Sequence, residues 1–153
     1  MRLTTKGRYA VRAMVDLALR KTQAPVSIKS ISKKENISQH YLEQLFIRLK
    51  KAGLVRSVRG PTGGYILNKP PNEITIGDIL RVVESSVTPS YCIDGDRTKD
   101  CCGQEKCIAK SLWQRLEEVV RDFLDSNTLE DMCQEAQNVQ EKDKPNHNFI
   151  FNI

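Results

Sequence analysis

The stretch from Ser27 to Leu67 constrains this chain most, because its apolar residues pass from helical spacing to alternation within a few residues. Ser27 can cap a short helix that carries Ile28 and Ile31 inward and ends near Asn36. Asn36-Ile37 forms a tight turn, after which Ser38 can cap a second helix from Gln39 to about Ala52, with Leu42, Leu45, Phe46 and Leu49 on one face. Gly53 stops it. The run Leu54-Val55-Arg56-Ser57-Val58-Arg59 then alternates apolar with basic or polar side chains, the period of a half-exposed strand. Gly60-Pro61-Thr62-Gly63-Gly64 bends the chain and Tyr65-Ile66-Leu67 returns it as a β-hairpin. Two short helices across a tight turn, followed by a hairpin, make a winged helix-turn-helix.

Upstream, Tyr9, Ala10, Ala13, Met14, Leu17 and Ala18 recur at helical spacing, with Arg8, Arg12, Asp16 and Arg20 on the opposite stripe. Downstream, Pro70-Pro71 punctuates the chain, and Thr75 with Asp78 is a capping-box start for a helix through Val83. From Ile108 to Leu124 the residues Ile108, Leu112, Leu116, Val119, Val120, Phe123 and Leu124 return at spacings of three and four, so one face is apolar and must be buried. Thr128 caps a last short helix through Leu129 and Met132, and from Gln137 the chain is too polar to pack. The expected fold is mainly α with a small β-hairpin wing. A winged helix-turn-helix DNA-binding domain takes 1–84, a cysteine-bearing loop 85–107, a dimerisation helix with a short C-terminal helix 108–136, and a mobile tail 137–153.

Charge is segregated along the 153 residues: 1–80 hold fifteen Lys and Arg against five Asp and Glu, whereas 81–153 hold nine against fourteen. The basic half suits a polyanion. On the second helix, Ser38, His40, Tyr41, Glu43 and Gln44 stand where side chains can reach base edges: Gln can pair with adenine and Glu can accept from the cytosine amine. Arg2, Lys6, Arg48, Arg56 and Arg59 are the candidates for phosphate or groove contacts. Because a helix-turn-helix protein normally needs two copies one DNA turn apart, and the long helix carries an apolar face, a homodimer on palindromic double-stranded DNA is expected.

Four of the five cysteines, Cys92, Cys101, Cys102 and Cys107, fall within sixteen residues, and the first 91 residues have none. The apolar stretch Ala10 to Leu19 is broken by Arg12 and Asp16, so it neither spans a bilayer nor has the shape of a signal peptide, and a cytoplasmic location is expected. In a reducing compartment such a cluster of thiols reads as metal binding or redox chemistry rather than a disulfide framework. The gaps are not those of a zinc ribbon or of the common ferredoxin runs, so spacing leaves iron-sulfur, zinc and a metal-free thiol sensor open. Cys133 fits a core position. An enzyme is not expected, since the two histidines lie away from the cysteines and no phosphate-cradling loop joins a strand to a helix.

The opening Met1-Arg2-Leu3-Thr4-Thr5-Lys6-Gly7-Arg8-Tyr9-Ala10-Val11, the stretch Tyr41-Leu42-Glu43-Gln44-Leu45-Phe46 and the wing Ser57 to Tyr65 resemble the iron-sulfur regulators of the IscR type, a winged-helix family that includes the nitric-oxide sensor NsrR and the cysteine-metabolism repressor CymR. The resemblance covers roughly residues 1–130. Within the family, the three-cysteine loop followed by Leu112-Trp113, together with Glu43, points to the IscR type. It implies a homodimeric transcription regulator holding one 2Fe-2S cluster per subunit through Cys92, Cys101 and Cys107, and it allows the cluster assembly machinery as a further partner. It also implies that cluster occupancy changes which promoters are bound, with Glu43 disfavouring some of them, and that the regulated genes serve iron-sulfur cluster biogenesis. Where the family has a histidine as fourth ligand, this chain has Lys110. An ammonium offers iron no lone pair, which leaves Cys102, Asp100, Glu105, a group of the second subunit or an exogenous thiol for that place. The alternative from another class is a metal-free or zinc-bound thiol repressor acting through a protein partner, as the resemblance to CymR implies.

Overall fold

The computed structural model describes residues 3–20, 24–90, 93 and 107–142, the side chains of 140–142 excepted. Its elements run α1 (Thr5–Leu19), α2 (Ile28–Glu35), α3 (Gln39–Lys51), β1 (Val55–Val58), β2 (Gly64–Leu67), a 3-10 turn at Pro71–Glu73, α4 (Ile76–Val83), α5 (Ile108–Ser126) and α6 (Leu129–Lys142). The order is that of a winged helix-turn-helix carrying a long additional helix.

Local chemistry explains most boundaries. Thr4 and Ser27 cap α1 and α2 through their hydroxyls, and Asn36 ends α2 in the left-handed conformation at φ 54°, returning its N–H to the Ser32 carbonyl. Asn tolerates that conformation better than other non-glycine residues. Ser38 holds the cap position of α3, yet its side chain makes no capping bond. The helix therefore begins there because its buried face starts at Leu42 and docks on the core, not because of a hydroxyl. In the hairpin, Val55, Arg56, Ser57 and Val58 face Leu67, Ile66, Tyr65 and Gly64. Val26 adds a third, one-residue rung: its N–H and carbonyl each bond Tyr65 at 2.9 Å. A Cβ on Gly64 would run into the Val26 carbonyl, so only glycine allows that approach.

The buried apolar residues, among them Met14, Ile31, Leu42, Phe46, Ile74 and Leu80, lie between Ala10 and Val83, with Leu129 as the sole outlier among the described residues. One core thus serves α1 to α4 and the wing. Asp16, expected on the polar stripe, is buried inside it. Its carboxylate accepts from Arg20 at 2.9 Å, one turn on, and from Lys34 of α2, while Arg20 also bonds Ser30 at 2.9 Å. A buried carboxylate held by two cations ties α1 to α2, and helical periodicity cannot reveal it because Lys34 arrives from another helix.

Two capping boxes stand side by side. Thr75 and Asp78 open α4 reciprocally. Thr128 and Asp131 open α6 in the same way, with Thr128 N–H to Asp131 Oδ2 at 2.8 Å and Asp131 N–H to Thr128 Oγ1 at 3.2 Å. Main-chain bonds from Ile76 to Asn127 at 2.8 Å and from Leu129 to Ile74 at 2.9 Å join the two segments, and Leu129 enters the core. The last helix is longer than expected: 137–142, assigned to the tail, are helical, since Leu129, Met132 and Ala136 keep a helical stripe that docks beside α1.

Among the described residues, one side of α5 is covered. Trp113, Glu117, Val120 and Leu124 are half-buried, and Arg81 of α4 bridges Asp125 at 2.7 Å. The neighbouring stripe of Ile108, Leu112, Leu116, Val119 and Phe123 is exposed, Ile108 by 90% and Val119 and Phe123 by 65% each. Among the described residues, no helix is long and apolar enough to cross a membrane.

Candidate nucleic-acid interface

Helix α3 is seated by Leu42, Leu45, Phe46 and Leu49, which leaves the opposite stripe, with His40, Gln44, Arg48 and Lys51, exposed beside Ser38. This is the placement a recognition helix requires, with its N-terminal side chains free to meet base edges. Tyr41 and Glu43 are half-buried. The Tyr41 ring meets Tyr9 edge-on, centroids 5.8 Å apart, and the Arg12 guanidinium lies 5.7 Å from the Tyr9 centroid. Arg12 in turn bonds the Glu35 carboxylate at 3.1 Å and carbonyl at 2.6 Å. Packing against α1 thereby sets the angle of the first turn of α3. Glu43 is not alone on that turn: Gln39 Nε2 donates to its Oε1 at 3.0 Å.

The wing is held to α3 by two contacts. Phe46 and Tyr65 pack with centroids 4.8 Å apart, and Lys50 Nζ donates to Ser57 Oγ at 2.7 Å. Strand alternation then puts Arg56 on the other side of the hairpin, where it borders a cleft with Leu17, Ala18, Ile66 and Pro70. Arg56 and the Lys50–Ser57 bond consequently lie on different faces of the hairpin, and the cation that joins α3 to the wing is Lys50, from the last turn of α3. Arg59 is exposed next to the glycine bend, where Gly60 has φ +124°.

At the start of α1 the main-chain donors are consumed internally. The Glu84 carboxylate accepts from Thr4 N–H at 2.9 Å, the Thr4 hydroxyl at 2.9 Å and Gly7 N–H at 3.1 Å, while Thr4 Oγ1 accepts from Lys6 N–H at 3.1 Å. A carboxylate at a helix N-terminus is favourable. What this end offers to phosphate is the exposed Lys6 side chain. Arg2 lies outside the described residues.

Of the thiols, Cys107 is exposed and sits at the cap position of α5 without a side-chain capping bond. Cys92 and Cys101 lie outside the described residues. Lys110 follows one turn on, its N–H bonding the Cys107 carbonyl at 3.1 Å. Among the described residues no three His, Cys, Asp or Glu side chains converge on a common point. Cys133 is half-buried on α6.

Known proteins agree with this geometry. Residues 3–135 match the Rrf2 family, described as "Iron-dependent Transcriptional regulator". The "HTH-type transcriptional regulator IscR" of Pectobacterium carotovorum is 47% identical over 132 residues, covering 86% of this chain and 79% of that protein. Among solved structures, T. potens IscR matches with TM-score 0.74 and 41% identity over 92% of this chain and 91% of its own. CymR, the global cysteine regulator of B. subtilis, matches with TM-score 0.76 and 41% identity over 88% of this chain and 98% of its own.

Proposed function

Because the chain belongs to the Rrf2 family of transcriptional regulators and is not an enzyme, we propose that it is a cytoplasmic homodimer which binds palindromic promoter DNA and responds to iron-sulfur status through one 2Fe-2S cluster per subunit, controlling iron-sulfur cluster biogenesis genes. The observation that carries the DNA-binding part is the exposed stripe of α3 tied by Lys50 and Phe46 to a wing. Base reading falls to Ser38, His40, Tyr41, Glu43 and Gln44, and phosphate or groove contact to Arg2, Lys6, Arg48, Arg56 and Arg59. The exposed stripe of α5 supports the dimer, since burying each of its large apolar side chains contributes about 1.5–3 kcal/mol.

The donor chemistry fits the cluster: three soft thiols in one stretch of sequence, with Cys107 exposed at the N-terminus of α5. Cys92, Cys101 and Cys107 would hold it. When bound, a 2Fe-2S cluster supplies an oxidant- and nitric-oxide-sensitive centre whose presence reports iron-sulfur supply. Cys107 caps α5, and the residue preceding the loop is Glu84, whose carboxylate holds the first turn of α1. The loop is therefore continuous with the dimer helix on one side and with the DNA-facing end of α1 on the other. Control requires that the two forms differ in DNA affinity.

The test is anaerobic purification with a visible spectrum and iron and sulfide content, followed by DNA binding of holo and apo protein. A red-brown protein that loses its absorption on Cys92→Ala or Cys107→Ala, keeps it on Lys110→Ala, and changes promoter preference with occupancy is expected. A second reading, a thiol repressor acting through a partner protein, is favoured by Lys110 in the ligand turn and by the similarity to CymR. A colourless protein that holds zinc, or no metal, would establish it instead.

A further inference from the structure

We propose that Gln39 is a specificity-determining residue of α3, acting with Glu43 as a single base-reading unit, an inference that rests on the DNA-binding reading above. Gln39 opens the helix, and its Nε2 donates to Glu43 Oε1 at 3.0 Å, joining adjacent turns on the stripe beside His40 and Gln44. An ionised carboxylate can only accept hydrogen bonds. In the major groove the matching donors are the exocyclic amines, cytosine N4 and adenine N6; guanine O6 and N7 and thymine O4 are acceptors. Glu43 pressed against an acceptor edge has no partner from the DNA, and an unpaired carboxylate shut off from water is costly. Gln39 changes that balance. Its N–H already serves one carboxylate oxygen in the free protein and stays in place when water is excluded, so Glu43 asks for one donor from the DNA, not two.

Gln39 thereby softens the selection that Glu43 imposes. Bases with an exocyclic amine remain preferred, because the second carboxylate oxygen and the Gln39 carbonyl both still accept. Bases lacking the amine are tolerated better than they would be by an isolated glutamate. The length of Gln39 matters, since its amide has to span one helical turn, and an apolar side chain at 39 leaves Glu43 alone at the groove.

The full-length parent protein is used to enrich binders from a pool of duplexes randomised over two half-sites. The enriched duplex and its single base-pair substitutions are then titrated by fluorescence anisotropy with parent, Gln39→Ala, Glu43→Ala and the double variant. Gln39 is exposed, so thermal unfolding of Gln39→Ala should match the parent. At the position facing Glu43, Gln39→Ala is expected to lose about fivefold or more on duplexes that place guanine or thymine there, with the amine on the opposite strand, and under about twofold on the enriched duplex. Glu43→Ala should flatten that position, and adding Gln39→Ala to it should change nothing further, the signature of a coupled pair. Equal weakening of all duplexes by Gln39→Ala, or an undiminished effect in the Glu43→Ala background, overturns the inference while leaving DNA binding intact. A parent that enriches no duplex overturns the DNA-binding reading itself, and this inference with it.

Discussion

The reading domain and helix α5 hold similar shares of apolar residues and reach opposite outcomes. From Ala10 to Val83 most large apolar side chains are buried in one core, with Ile47 of α3 the exposed exception. No residue of α5 is buried, and five of its apolar side chains face out. The difference lies in neighbours. Helices α1 to α4 cover one another and the wing, whereas α5 touches α4 along one stripe and carries a second that no other described residue covers. Among the described residues, the first region buries its own apolar face and the second leaves one apolar stripe open. An exposed contiguous apolar stripe of this kind marks an interaction site.

The largest expected effect tests the self-sufficiency of the reading domain. Phe46 is fully buried and also supports the wing through Tyr65. Phe46→Ala should cost about 3–5 kcal/mol, a large part of a small domain's stability, read as a lower denaturation midpoint by circular dichroism. Val119→Ala, at a site 65% exposed, should leave the midpoint of a dilute, monomeric sample within about 0.5 kcal/mol. Equal costs at the two positions would break the contrast.

Next comes the claim that a second copy covers α5. Replacing Leu116 and Phe123 together by Asp places two charges in the exposed stripe. Sedimentation should then show a monomer, and affinity for a two-half-site duplex should fall by about 100-fold or more, because the half-sites no longer bind jointly. The circular dichroism of the reading domain should persist. A variant that still sediments as a dimer would assign the stripe to something other than self-association.

How much of this division was legible follows from the kind of interaction involved. The α3 face, the Gly53 stop, the hairpin and the Thr75–Asp78 box depend on neighbours within a few residues, and the structure has them where periodicity and capping rules put them. Asp16 was misplaced because its burial depends on Lys34 across a helix pair. Ser38 was credited with a cap that tertiary docking makes unnecessary. Strand alternation sets Arg56 on the hairpin face opposite the Lys50–Ser57 bond, and only the folded hairpin shows which side α3 occupies. At the site, the exposure of His40, Gln44 and Arg48 could be read from a helical wheel, while the Gln39–Glu43 bond required side-chain geometry. Cys107, the last residue of the expected cysteine-bearing loop, is found at the cap position of α5.

A smaller effect belongs to the seam between the two regions. Arg81 on α4 bonds Asp125 near the end of α5 at 2.7 Å and Asp78 at 3.2 Å, all three side chains partly exposed. Arg81→Met should cost about 0.2–1 kcal/mol and less in high salt, as exposed ion pairs do. Hydrogen exchange at the last turn of α5 should quicken while exchange in α3 stays unchanged. Uniform quickening across both helices would mean that the seam, not the shared surface along Val120 and Leu124, holds α5 to the domain.

The smallest effect compares the two neighbouring capping boxes, at the starts of α4 and α6, through acid. Burial pushes the Asp78 carboxyl up, but the bonds from Thr75 N–H and hydroxyl and the nearby Arg81 guanidinium outweigh it and hold it below its ordinary value of 3.8. The Asp131 carboxyl is likewise held below 3.8, first by the Thr128 hydroxyl and then by its N–H. A carboxyl whose value is lower in the folded than in the unfolded chain adds stability that is fully present well above 3.8, starts to fade as pH falls past that value, and is gone once pH drops below the depressed one. Asp78→Asn should therefore cost at neutral pH, by under about 1 kcal/mol once solvent screening is discounted, and the gap to the parent should close between pH 3.8 and the depressed value. Asp131→Asn should follow the same direction with a smaller amplitude, since Thr128 alone holds the value down there and no arginine adds to it as Arg81 does at Asp78. Because Ile76 and Leu129 tie the boxes by main-chain bonds, the double variant should lose more than the sum if α4 and α6 start as one unit, and the plain sum if each box caps its own helix.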